Sequence, residues 1–191
     1  MKIQSSILVG LVLCYYISCK TECSKNTIYK FSKEDFSLIN GVLFFQNEEF
    51  SGKLSSYDPV NYTSILSEYC NGRKNGSEIK KYDNDVLSEE RFYKEGVKVG
   101  IHKGWWKNGN KKFEYHFNTS GEYDGEVKDW YKNGQMFKFF NYGNGREEGS
   151  QKMWQPDGKI RANFVTKNGE RYGVIGLKKC YSLNVKDESI Q

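Results

Sequence analysis

The sequence predicts an all-β chain: an elongated, twisted antiparallel sheet, or solenoid, of about six stacked β-hairpin repeats of about 24 residues each. Three observations predict it. Glycines at Gly52, Gly76, Gly100, Gly125, Gly149 and Gly173 are spaced 24, 24, 25, 24 and 24 residues apart. Asn-Gly occurs seven times, several times what random placement of 16 Asn and 19 Gly gives. The chain is also rich in aromatic residues and glycine but holds only 2 Pro, a balance that suits strands and tight turns.

The repeating unit follows from positions counted around those glycines. Four residues before each of the last five stands another glycine, namely Gly72, Gly96, Gly121, Gly145 and Gly169, and Glu48 holds that place in the first unit. Three residues earlier again come Phe45, Tyr69, Tyr93, Tyr142 and Thr166, with Phe117 displaced by one in the longer unit. Five residues after the second glycine come Tyr57, Lys81, Trp105, Trp130, Trp154 and Lys178. Four beyond each Trp lies Gly109, Gly134 or Gly158, preceded by Asn or Asp. The unit therefore reads aromatic-x-x-Gly-x-x-x-Gly-x-x-x-x-Trp-aromatic-x-Asn-Gly, then a strand.

Asn-Gly between alternating segments predicts type I′ turns, because both central residues need positive φ and these two tolerate it. After Gly109, Phe113, Tyr115 and Phe117 alternate with Lys112, Glu114 and His116, the period of a half-buried strand. Met136, Lys138, Phe140 and Tyr142, then Ile160, Ala162, Phe164 and Thr166, are predicted to carry the same face onward. A lone hairpin is marginal in water, so the units must stack. Stacking would rank Trp105, Trp130 and Trp154 in one column and Tyr69, Tyr93, Phe117 and Tyr142 in another, each ring pair contributing about 0.5–1.5 kcal/mol beyond area burial. The first glycine of each unit would turn the chain between hairpins, and the second would let a ring approach the backbone.

Tyr93-Lys-Glu-Gly96-Val-Lys-Val-Gly100 leading to Trp105-Trp106-Lys-Asn108-Gly109, and Gly125-Glu-Val-Lys-Asp-Trp130-Tyr131-Lys-Asn133-Gly134, resemble the bacterial variant of the MORN repeat. The resemblance covers residues 41–180 and is strongest over 89–173. It implies an elongated hairpin array of the kind found in proteins called antitoxin-like. The sequence departs from the pattern at Lys81 and Lys178, which replace Trp, and at Asp85, which replaces the turn glycine.

The first 18 residues read as a signal peptide. Ile7 to Ile17 form an apolar run of 11 behind Lys2, too short for a bilayer core that takes about 20 residues. The run ends Tyr16-Ile17-Ser18-Cys19, which resembles the lipobox of bacterial lipoproteins and implies lipidation at Cys19. Cys14 is a second position, and a plain secretory signal is the other reading. Residues 19–40 are then a tether and opening strand, 41–180 the array, and 181–191 a charged tail. Cys23, Cys70 and Cys180 remain in the mature chain, an odd number that permits at most one disulfide among them.

Function is constrained mainly by exclusion. Lys and Arg number 29 against 24 Asp and Glu, with no block of five like charges, so a basic nucleic-acid arm is not predicted. With 2 His, no zinc-ligand spacing, no Gly-x-Ser-x-Gly elbow and no phosphate loop, neither an enzyme nor a cofactor or metal site is expected. Glu89 and Glu90, like Glu147 and Glu148, are adjacent and so fall on opposite faces of a strand. Lys103, Lys128 and Lys152 each stand two residues before a Trp and share its face, so Trp105, Trp130 and Trp154 with these lysines form the candidate binding surface. The favoured expectation is an envelope-anchored repeat lipoprotein, held to a membrane by its lipid and serving as a non-catalytic scaffold for envelope proteins. Alternatives are a carbohydrate or cell-envelope binding module, since Gly-Trp-Trp-Lys-Asn-Gly looks like glucan-binding repeats, and a toxin-neutralising protein, which rests on the family likeness alone.

Overall fold

A computed structural model describes Cys23 and residues 26–176. The predicted signal peptide, Cys19, Lys178, Cys180 and the tail lie outside the described residues. What is described is all β. Seventeen strands follow in order: β1 (Ile28–Lys30), β2 (Phe36–Ile39), β3 (Val42–Phe45), β4 (Glu48–Glu49), β5 (Gly52–Asp58), β6 (Thr63–Cys70), β7 (Arg73–Tyr82), β8 (Leu87–Lys94), β9 (Val97–Lys98), β10 (Gly100–Trp105), β11 (Lys111–Phe117), β12 (Tyr123–Trp130), β13 (Met136–Gly143), β14 (Arg146–Glu147), β15 (Gly149–Trp154), β16 (Ile160–Lys167) and β17 (Glu170–Val174). Fourteen form one open sheet, along the path β1-β5-β6-β7-β8-β10-β11-β12-β13-β15-β16-β17, with β9 and β14 pairing beside β8 and β13. Sequential neighbours pair antiparallel, as expected of stacked hairpins, and only β1 joins parallel, to β5. The remaining three, β2-β3-β4, make a small sheet of their own.

Burial separates the two faces of the long sheet. Leu54, Ser67, Glu78, His102, Val127, Phe140, Gln151 and Phe164 are buried and face inward, while Lys103, Glu114, Lys128, Phe139 and Lys152 line up across the ladder on the outer face. At the N-terminal end the small sheet covers the inner face, packing Phe36, Leu43, Phe50 and Leu54 with Tyr29, Phe45 and Tyr69. A disulfide between Cys23 and Cys70 fastens the chain ahead of β1 to the end of β6. Further along, Val127, Phe140, Ala162 and Phe164 form a second core.

The tyrosine column exists, with two unforeseen members. Tyr93, His102, Phe117, Tyr123 and Tyr142 follow one another at ring-centroid distances of 5.6, 4.6, 4.9 and 5.2 Å. Tyr69 instead meets Phe50, at 5.8 Å, and the gap to Tyr93 is filled by the Lys74 ammonium over the Tyr93 ring. The tryptophan column differs from expectation: among the described residues no ring-to-ring contact joins Trp105, Trp130 and Trp154. Their backbones are joined instead. The aromatic residue that follows the Trp position in one unit donates a hydrogen bond to the Trp carbonyl of the next, from Tyr82 Oη to Trp105, Trp106 Nε1 to Trp130 and Tyr131 Oη to Trp154, at 2.9, 3.1 and 3.0 Å. Beside these bonds, Asn108 Nδ2 and Asn133 Nδ2 reach the carbonyls of Lys132 and Pro156.

Two kinds of turn replace the single kind predicted. At Asn71-Gly72, Asn144-Gly145 and Asn168-Gly169 both residues have positive φ, as the type I′ expectation requires. At Asn108-Gly109, Asn133-Gly134 and Asp157-Gly158 only the glycine does. There the glycine N–H returns to the carbonyl three residues back, for example Gly109 to Trp106 at 2.8 Å, which is a type I turn closed by a left-handed residue. Asp85 takes the same role with φ +60, so the unit lacking glycine still closes. The extra residue of the longest unit has the same explanation: Asn118 and Glu122 close a three-residue loop where its counterparts have two.

These turns shift the register by one, and Lys112, Phe137 and Arg161 are skipped in the ladder. Met136 and Ile160 consequently stand across from Trp130 and Trp154 and not in line with Phe140 and Phe164. Ile160 is 55% exposed.

The second glycines also fall into two conformations. Gly76 and Gly125 have φ of +111° and +102° and lie inside unbroken strands, whereas Gly100 and Gly149, at +70° and +75°, follow a break that splits off β9 and β14. The array therefore repeats structurally every two units. The predicted approach of a ring to a second glycine occurs at Gly52, under Phe50, and at Gly125, under His116, and it is closest at a glycine outside that set, Gly104, where a Cβ would sit 2.2 Å from Phe113 Cε1. The Arg91 guanidinium also packs against the Phe113 ring, 5.4 Å from its centroid.

Gly104→Ala should therefore destabilise by about 1–3 kcal/mol, the usual cost of overpacking a core. In a Phe113→Ala background the same change should become neutral or stabilising by about 0.5–1 kcal/mol, because a strand favours Ala over Gly once the clash is gone. Urea unfolding of the four proteins in the cycle checks this, and additive effects would refute the contact.

Candidate functional site

The outer face carries the residues singled out from the sequence. Trp105, Trp130 and Trp154 end β10, β12 and β15, each half-buried, with Lys103, Lys128 and Lys152 two residues earlier on the same face. Alternation along a strand puts each lysine and its tryptophan on one side. Lys103 stands between Glu90 and Glu114 across the ladder, and Lys152 between Phe139 and Asn163. Lys128 is engaged most fully: its ammonium pairs with Glu126, lies 3.9 Å from Glu114 Oε1 and sits over the Phe139 ring. Trp130 has the Lys111 ammonium 5.3 Å from its ring centroid, and Lys112 stands likewise over Trp106. Trp106 and Trp130 thus already carry a lysine ammonium over the ring.

Between Lys103 and Lys128, Glu114, His116 and Glu126 bring their ligand atoms within 4.8 Å of one another. Two carboxylates and an imidazole are a plausible set for a divalent cation. Here, however, the counter-charge comes from lysine: Lys111 Nζ is 2.9 Å from Glu114, and Lys128 bridges both carboxylates. Partial burial alone would raise the Glu114 pKa, but Lys111, Lys128 and the nearby His116 outweigh it and hold the carboxyl below its ordinary range. The two carboxylates are held as an ion-pair network, while His116 Nε2 stands 3.6 Å from Glu114 Oε1 and makes no hydrogen bond among the described residues.

The inner face holds polar groups that sequence reasoning passed over. Two residues after the second glycine lies a buried position in the first five units, occupied by Leu54, Glu78, His102, Val127 and Gln151. Glu78 accepts from Ser67 Oγ and pairs with Lys74. Gln151 accepts from the Asn141 N–H at 3.0 Å, the amide that the strand break leaves without a ladder partner, and donates at 2.9 Å to the Asn141 carbonyl, which the Glu148 N–H also reaches. His102 Nε2 occupies the equivalent place against Phe92, 2.8 Å from its carbonyl, while Nδ1 is buried without a partner. The shared spacing, 49 residues between His102 and Gln151, was the available signal, and it is obscured because the two residue types differ.

Other inner-face charges are compensated. Glu89 bridges Lys80 and Arg91 at 2.9 and 2.8 Å, which together overcome burial and keep it ionised below the ordinary range. Asp129 accepts from Tyr115 Oη and pairs with Lys138 at 2.7 Å. Burial, reinforced by neighbouring carboxylates, raises the phenol pKa values, Tyr115 through Asp129 and Tyr69 through Glu78, the latter to about 12. These phenols remain hydrogen-bond donors under ordinary conditions.

A surface hollow of about 960 Å³ lies at the far end between the β13–β14 turn and the β16–β17 hairpin. It is bordered by Glu147 and Arg171, which form a two-point ion pair at 2.9 Å. No protein-family model matches the chain, and no curated protein is significantly similar to it in sequence.

His102 supplies a pH dependence with a definite sign. Burial first, then Arg91 on β8 and Lys98 on β9, depress its pKa below the ordinary 6.5, partly opposed by the hydrogen bond to Phe92. The unfolded chain therefore takes up this proton first as pH falls. The contribution to stability is full above about pH 6.5 and is lost progressively below it. Glutamine does the equivalent work at position 151, so His102→Gln should fold with a near-native melting temperature at pH 7.5 and lose less than the parent at pH 5.5. Thermal melts at the two pH values check this. An equal loss in both proteins would count against it.

Proposed function

We propose that the chain is an envelope-anchored repeat lipoprotein whose array serves as a non-catalytic scaffold for envelope proteins. The observation that carries this reading is β17: among the described residues it pairs on one side only, with β16, and its Tyr172 and Val174 side chains are exposed. An unpaired strand edge offers a row of backbone donors and acceptors to which an extended segment of another protein can add. The Cys23–Cys70 disulfide supports an oxidising compartment outside the cytoplasm. The lipobox-like Cys19 provides the anchor, and the 24-residue hairpin period supports the likeness to the variant MORN repeat.

A second reading has its own support. The half-exposed tryptophans at Trp105, Trp130 and Trp154, with lysines beside them, suit stacking against sugar rings of an anionic envelope polysaccharide.

The experiments separate the two. A photo-crosslinking residue at Tyr172, expressed from the native envelope, should capture a small, reproducible set of envelope proteins, and Cys19→Ser should shift the protein from the detergent phase to the aqueous phase. Capture of nothing from Tyr172, together with tryptophan quenching by cell-wall fragments that Trp130→Ala abolishes, would favour the polysaccharide reading instead.

A further inference from the structure

The disulfide changes what the segment after Cys19 can do. Read from sequence, residues 19–40 are a tether and an opening strand, with the length of the tether left open. The Cys23–Cys70 bond sets it: only four residue steps separate Cys19 from Cys23, a span of at most about 14 Å. The Cα atoms of Cys23 and Cys70 are 5.1 Å apart, which places Cys70 within about 19 Å of the Cys19 backbone. Without the bond, the first fixed point is β1 at Ile28, nine steps on, and the reach grows to about 32 Å.

Cys70 ends β6, immediately before the Asn71-Gly72 turn. That turn is the part of the array joined to the N-terminal cap: Gly72 accepts from the Leu43 N–H and donates to the Phe50 carbonyl, both at 2.8 Å, and the Asn71 N–H reaches Ser51 Oγ. Cap, turn and disulfide therefore form one rigid end. From β6 to β17 the sheet path runs nine more strands, roughly 40 Å at the usual strand spacing. The tether is short compared with that length, so it selects which end the anchor holds.

We infer that the Cys23–Cys70 disulfide holds the capped end of the array, with the turn Asn71-Gly72, against the lipid headgroups and directs β17 away from them. The inference rests on lipidation at Cys19. The partner of this end is the bilayer surface, and the geometry leaves the opposite edge accessible to proteins.

Energy transfer tests it. The full chain, processed in a bacterial envelope, is reconstituted into phosphatidylethanolamine/phosphatidylglycerol vesicles bearing a short-range headgroup acceptor, with a fluorescent residue at Arg73 or at Lys167, both exposed. Transfer from position 73 should exceed that from 167 by about twofold or more, given the spans above. It should fall in Cys23→Ser and also when an eight-residue Gly/Ser insert separates residues 21 and 22, a variant that keeps the disulfide and the fold. Equal transfer from the two positions, or transfer at 73 that neither variant lowers, overturns the inference while leaving the anchor standing. Wild-type protein that fails to pellet with vesicles overturns the anchor itself, and the inference with it.

Discussion

A two-stranded hairpin does not bury enough surface to stand alone in water, and every unit of this chain is such a hairpin. Cohesion therefore has to be supplied between neighbours, and it comes at both ends of the strands as well as along the ladder. At one end Tyr82, Trp106 and Tyr131 bond to the carbonyl of the next unit's tryptophan. At the other, the turn N–H groups of Asn71, Glu95 and Asn144 are received by Ser51, Asn75 and Asp124, each twenty residues earlier. A single bond of this kind contributes about 0.5–1.5 kcal/mol. Their value lies in repetition: each fixes the angle between consecutive hairpins, and the inner-face rings meet only if that angle is kept.

The two-unit alternation follows from the same requirement. Where the strand runs through Gly76 or Gly125, a ladder partner is available and the buried position beyond it can be any residue that fills space, as Val127 does. Where the strand breaks before Gly100 or Gly149, the amide of Phe92 or Asn141 on the neighbouring strand is left without a ladder partner. Burying it uncompensated would cost about 1–3 kcal/mol. The carbonyls of the same two residues accept from the Val99 and Glu148 N–H groups at 3.0 Å, Gln151 receives the Asn141 amide through its side-chain oxygen, and His102 Nε2 faces the Phe92 amide and carbonyl together. At His102 and Gln151 a polar residue sits in this core because the adjacent backbone has groups to satisfy, whereas Glu78 at the equivalent place is held by Ser67 and Lys74.

Much of this architecture was legible in the sequence. The glycine period gave the unit length, the alternation of Phe113, Tyr115 and Phe117 gave the buried face, and the tyrosine positions gave the column. What was missed shares one cause: a repeat consensus reports residue identity, whereas the structure repeats a geometric task. Asp85 closes a turn without glycine, His102 and Gln151 take the same place with unlike side chains, and Tyr82, Trp106 and Tyr131 were visible as aromatic without their hydrogen bonds being inferable. Register slips at Lys112, Phe137 and Arg161 likewise depend on turn type, which Asn-Gly alone leaves open between two geometries. The candidate surface was legible only as a shared face. That Lys128 is already paired with Glu126 and Glu114 required the fold.

The distribution of charge then bears on where recognition can occur. On the inner face the cations and carboxylates are matched within the chain: Lys74 with Glu78, Lys80 and Arg91 with Glu89, Lys138 with Asp129. A ligand there would have to displace bonds that the fold itself uses, and removing one partner of such a pair leaves a buried charge uncompensated. The outer face and the last strand carry a smaller burden. Lys103 and Lys152 face the surface without comparable short ion pairs, and β17 holds backbone groups unused along one side. The two ends of the array are also unequal, since the first is covered by a second sheet and tied by a disulfide while the last ends in a bare strand among the described residues. Among the described residues β1 and β17 each pair on one side only, but β1 lies beside the small sheet and the disulfide while β17 lies away from both, and this inequality gives the array a direction.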